Sequence, residues 1–71
     1  MEKEKVKGII EAVLFASARV VNIKELSSIL ELAPDEINKI VSEMQLDYAR
    51  ENRGIEIVRV EDGFQLSSKK E

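Results

Sequence analysis

The side chains best equipped for chemistry in this sequence are carboxylates, and two adjacent pairs stand out, Asp35-Glu36 and Glu61-Asp62. Neighbouring acids are the raw material of general acid–base catalysis, one holding a proton while the other stays ionised. Both pairs have simpler roles here. Asp35-Glu36 follows Pro34, where acidic side chains complement the positive end of a starting helix. Glu61-Asp62 precedes Gly63 and belongs to a turn. The other reagents are missing: there is no histidine to serve as a base near neutrality, and no cysteine nucleophile. Gly8, Gly54 and Gly63 are too scattered to cradle a phosphate. Without cysteine or histidine the usual zinc sites lack ligands, and no disulfide can staple the chain. The expectation is a protein that is not an enzyme, with no catalytic, cofactor or metal residues.

With 71 residues the chain has room for one small domain and not for two. Its 44% hydrophobic and 35% charged residues suit a soluble folded chain and argue against a disordered one. A domain of this size buries only about 60% of the surface its unfolded chain exposes, so stability in isolation is marginal. The longest apolar run, residues 12–16, is far short of the roughly 20 that a membrane helix needs. The start, Met1-Glu2-Lys3-Glu4-Lys5, has no signal-peptide apolar region, which points to the cytoplasm and away from a membrane. Eleven basic against fourteen acidic residues leave a net charge of −3, the wrong sign for a small dedicated DNA binder.

Val6, Ile9, Ile10, Val13 and Leu14 fall at helical spacing and predict an amphipathic helix over 3–18. Arg19-Val20-Val21 reads as a brief extended segment. Asn22 and Glu25 have capping-box spacing and open a second helix, with Leu26, Ile29 and Leu30 on its buried side. Ala33-Pro34 breaks it, because the residue before a proline is pushed out of helical geometry. Pro34 then starts a third helix whose stripe is Ile37, Ile40, Val41, Met44 and Tyr48. Asn52-Arg53-Gly54 ends that helix, with Gly54 able to take a left-handed conformation. Ile10, Val13, Leu26, Ile40 and Met44 are the expected centre of the core.

Residues 55–60 and 64–67 are strand-like, and Asp62-Gly63 between them is a strong two-residue hairpin signal. Ser68-Lys69-Lys70-Glu71 is a polar tail expected to fray. Helix, short strand, helix, helix, strand, turn, strand is an α+β order, in which the second and third helices form a helix-turn-helix and the hairpin a wing. The short segment at Val20-Val21 can add a third strand to the hairpin. The fold expected for residues 1–67 is a winged helix.

A DNA-reading winged helix offers Arg, Lys, Asn or Gln from its third helix to the major groove. Over 35–51 this helix carries Asp35, Glu36, Glu43, Asp47 and Glu51 against only Lys39 and Arg50, and the wing tip is acidic as well. Direct DNA binding is therefore not expected, and a winged-helix transcriptional regulator is the second choice of function. Two apolar residues do not fit a monomer. Leu46 points away from the stripe of its helix, and Phe15 lies on the far side of the first helix, flanked by Gly8 and Ala12. Phe15 alone is better explained by packing under the wing. Taken together, Gly8, Ala12, Phe15 and Leu46 are candidates for a protein–protein interface.

The segment Ile10-Glu11-Ala12-Val13-Leu14-Phe15-Ala16-Ser17 resembles the opening helix of the segregation and condensation protein B family, ScpB. So do Ile23-Lys24-Glu25-Leu26, Ala33-Pro34-Asp35-Glu36-Ile37, and the wing segments at 53–58 and 63–66. Resemblance to this kleisin-interacting family implies a non-enzymatic, homodimerising subunit of the prokaryotic SMC condensin complex. It implies a partner, the kleisin ScpA, and through it SMC, with a role in chromosome condensation and segregation on the nucleoid. It also implies a second winged helix, so the tail at 68–71 is the expected truncation point of a longer two-domain protein, a natural short form being the alternative. The resemblance names no individual contact residues.

Overall fold

A computed structural model of the chain describes residues 2–51 and 54–69. Chain order is α1 (Lys3–Ser17), β1 (Val21–Asn22), α2 (Ile23–Leu30), α3 (Pro34–Arg50), β2 (Ile55–Val60) and β3 (Gly63–Ser68). Each apolar stripe becomes the inner face of its helix. In α1 the buried line is Val6, Ile10 and Leu14. Val13, expected at the centre, only flanks the core together with Ile9, because these two lie on one shoulder of the buried line. Helix α1 ends one residue before its expected limit, since Ala18 adopts a left-handed conformation with φ 52°.

The expected cap forms at Asn22, whose side chain accepts from the backbone N–H of Lys24 at 2.7 Å, while the Glu25 carboxylate is held by Arg19 at 3.1 Å. In α2 the buried residues are Leu26 and Leu30, while Ile29 is 54% exposed. The expectation that Ile29 faces inward is corrected. At about 100° per residue, Ile23, Leu26 and Leu30 share one narrow face and Ile29 lies well to its side. Glu31, left-handed at φ 56°, closes α2, and extended Ala33 leads into Pro34. The five predicted stripe residues of α3 are all buried.

The sheet order is β1-β3-β2, antiparallel throughout. The third strand expected at Val20-Val21 is present one residue later, with Val21 opposite Phe64 and Asn22 opposite Gly63. Val60 also pairs with Gly63, so the two-residue loop is Glu61-Asp62 rather than Asp62-Gly63. Its left-handed residue is Glu61, at φ 51°. Gly63 belongs to the ladder instead, where β1 needs it. Nor is Gly54 left-handed, because among the described residues no glycine has a positive φ. Helix α3 closes through an Asp47 carbonyl that accepts from the Glu51 N–H at 2.9 Å. Asn52 and Arg53, the rest of the expected stop, lie outside the described residues.

Ser68 and Lys69, expected to fray, are held in place. Strand β3 includes Ser68, and the Lys69 N–H donates to the Gly54 carbonyl at 3.0 Å. Lys69 Nζ also donates to the Tyr48 carbonyl at 2.8 Å, placing a cation at the negative end of α3. Lys70 and Glu71 lie outside the described residues. Ile10, Leu26, Ile37, Val41 and Val21 are enclosed at the centre of the core, which draws on every helix and on the sheet.

Candidate interaction surfaces

The third helix and the wing, which read DNA in other proteins of this shape, are fastened to each other here. Arg59 of β2 donates to Asn38 Oδ1 at 2.8 Å and to Ser42 Oγ at 2.9 Å, with its guanidinium 5.2 Å from the centre of the Phe64 ring. One turn further along α3, Gln45 Nε2 donates to the Ile57 carbonyl at 2.8 Å. Asn38, Ser42 and Gln45 recur at helical spacing and are turned toward the wing. The arginine that a wing would extend to phosphate is exposed but tied to α3.

The acidic count on α3 is distributed unevenly. Glu43 and Asp47 face α1, where Lys3 lies 3.1 Å from Glu43 and Lys7 lies 2.8 Å from Asp47. The hydrogen bond to Asp47 holds the Lys7 ammonium above its ordinary pKa, against a smaller opposing effect of desolvation. The hydrogen bond from Lys3 keeps the Glu43 carboxyl below its ordinary value, with Lys7 adding to the effect. These pairs join α1 to α3 and take two of the five carboxylates off the solvent face. Asp35 and Glu36 at the helix start, and Glu61 and Asp62 at the wing tip, remain exposed. Repulsion of a polyanion therefore concentrates at the helix start and the wing tip, which would meet DNA first.

Phe15 is 79% exposed, so packing under the wing is not its role. Gly8 and Ala12 are exposed on the same ridge of α1, and a Cβ at Gly8 would meet nothing within 4 Å. Beside Phe15 lies a shallow hollow lined by Leu14, Ala18, Ile55 and Leu66. Leu46 is 60% exposed on the outer face of α3. The structure assembles Gly8, Ala12 and Phe15 into one ridge and leaves Leu46 on a different helix. Among the described residues, no helix is long and apolar enough to cross a membrane.

A second surface was not foreseen. The start of α1 leans over the turn between α2 and α3 and leaves a groove of about 450 Å³. Val6, Leu32, Ala33 and Ile40 line it, with Lys3, Glu31 and Glu36 at its edge. Each helical period taken alone assigns Val6 and Ile40 to the core. Both are indeed buried, and the packing of α1 across the turn sets them beneath the more accessible Leu32 and Ala33.

Three helices, two of them a helix-turn-helix pair, with a three-stranded sheet that carries the wing, define a winged-helix domain. Residues 8–71 match the family model for the segregation and condensation complex subunit ScpB, and the chain belongs to that family. It is 37% identical over 71 residues to segregation and condensation protein B of Alkaliphilus oremlandii, and 38% identical over 69 residues to that of Brevibacillus brevis. These alignments take in 100% and 96% of this chain but only 38% and 36% of those proteins. A crystal structure of the dimer of the ScpB N-terminal domain complexed with ScpA peptide is similar at TM-score 0.87 and 34% identity. That match covers 94% of this chain and 84% of the other. ScpB from Mycobacterium tuberculosis, at 16% identity and TM-score 0.89, shares the fold over 97% of this chain and 43% of its own.

Proposed function

We propose that this chain is the dimerising N-terminal winged-helix domain of a longer, non-enzymatic ScpB subunit. It works with the kleisin ScpA, and through it SMC, in chromosome condensation and segregation, on the nucleoid in the cytoplasm. One observation carries the reading: the fold and 34% identity shared with an ScpB N-terminal domain that was crystallised as a dimer with an ScpA peptide. The tie of Arg59 to Asn38 and Ser42 and the acidic wing tip count against the DNA-binding regulator.

The ridge of Phe15 suits the self-contact. In a two-fold interface the same patch meets itself, so the Phe15 ring of one copy can cover the small residues Gly8 and Ala12 of the other. Burying a large apolar side chain contributes roughly 1.5–3 kcal/mol, and two rings per dimer make this a measurable association. Leu46 is the alternative contact. Sedimentation equilibrium of the parent chain, Phe15→Glu and Leu46→Glu tests the assignment. A dimer that Phe15→Glu dissociates is the expected result. A monomeric parent at high micromolar concentration refutes dimerisation through this domain, and a dimer that survives both changes places the contact elsewhere.

A further inference from the structure

The groove under the start of α1 has the wrong electrostatics for a self-contact and the right ones for a different chain. Its floor is aliphatic, from Val6, Leu32, Ala33 and Ile40. Its volume lies within the about 300–1,000 Å³ common for binding sites. Glu31 and Glu36 on its edge are exposed, and neither takes part in an ion pair among the described residues. Lys3, the one cation on the edge, is engaged by Glu43 at 3.1 Å. The positive end of α3 lies close by, but Asp35 and Glu36 in its first turn more than offset that partial charge. The groove therefore combines apolar floor and uncompensated negative rim.

We infer that this groove holds a short aliphatic segment of a partner polypeptide flanked by lysine or arginine, while the Phe15 ridge serves the second copy. This deepens the ScpA reading and rests on it. A two-fold contact through the groove would set Glu31 and Glu36 against the same residues of the other copy, where like charges repel. Nucleic acid is repelled by the same two carboxylates. A polypeptide can place aliphatic side chains on Leu32 and Ala33, above the buried Val6 and Ile40, and its cations beside Glu31 and Glu36. The ridge differs in shape, a protruding ring beside the small residues Gly8 and Ala12, with Glu4 and Glu11 at its border.

The test is calorimetric titration of ScpA into the parent chain, the double variant Glu31→Lys/Glu36→Lys, Ala33→Arg and Phe15→Glu. Thermal melts and sedimentation check that each is folded and report its oligomeric state. Ala33 is exposed and extended, so an arginine there fits the backbone while filling the groove mouth with bulk and positive charge. Expected are a parent that binds, a loss on the order of tenfold or more in the double variant and in Ala33→Arg with dimerisation retained, and Phe15→Glu monomers that still bind. If the parent binds and both groove variants bind equally well, the groove assignment is overturned while the ScpA reading stands. If the parent does not bind, the ScpA reading fails and the groove assignment falls with it. Loss of binding in Phe15→Glu alone puts the segment on the ridge and overturns the division of surfaces.

Discussion

A Cβ on Gly63 would stand 2.5 Å from the carbonyl oxygen of Val21, and 2.7 Å from Cγ1 of Val20. Gly63 is where β3 pairs with both neighbours, Asn22 on one side and Val60 on the other. The obstacle on the β1 side is backbone, which cannot swing aside as a flexible side chain would. Gly63→Ala should therefore cost about 1–3 kcal/mol, as overpacked sites do, and lower the thermal midpoint. An unchanged midpoint would show that β1 is free to move away from the wing.

The core and the surface of α2 and α3 should respond very differently to loss of an isoleucine. Ile40 is buried, and Ile40→Ala should cost about 2–5 kcal/mol. For a domain of this size that is enough to approach unfolding. Ile29→Ala should stay within about 0.5 kcal/mol, because the side chain is already 54% exposed. Denaturant melts of the two variants check the pair, and equal losses would refute the orientation of α2.

The ion pairs between α1 and α3 predict how stability depends on pH. Glu43 titrates below its ordinary value of 4.5 in the folded chain, so its contribution is present above that value and is lost as acid drives the pH down through the folded pKa. Lys7 titrates above its ordinary 10.5, so its contribution is present below that value and is lost as the pH rises through the folded pKa. The clamp is complete between the two. Glu43→Gln should therefore lower the melting temperature slightly at neutral pH, and the difference from the parent should vanish in acid. Added salt should shrink it as well, since both pairs are partly exposed. A difference that persists in strong acid would mean that Glu43 acts through packing.

Duplex DNA titrated at low salt should show no saturable micromolar binding. Micromolar affinity that falls steeply with salt would revive the regulator and would mean that Arg59 leaves Asn38 and Ser42 to meet phosphate.

Residue order and local periodicity determined a great deal here. The stripe from Ile37 to Tyr48, the stop at Ala33-Pro34, the cap at Asn22 and the β-branched run at 55–60 are local signals, and they suffice for the helix-turn-helix and the wing. Local signals failed where a choice depended on a neighbouring element. Asp62-Gly63 reads as a turn until β1 claims Gly63 for close contact. Ile29 fits a helical stripe until an eight-residue helix can turn only one narrow face inward. Carboxylates on α3 count alike in a sequence, but Lys3 and Lys7 of α1 neutralise two of them. The Phe15 ridge was legible because it lies on one helix and needs only the angle per residue. The groove was not, because its floor and rim come from α1, the interhelical turn and α3, and only packing in three dimensions brings them together.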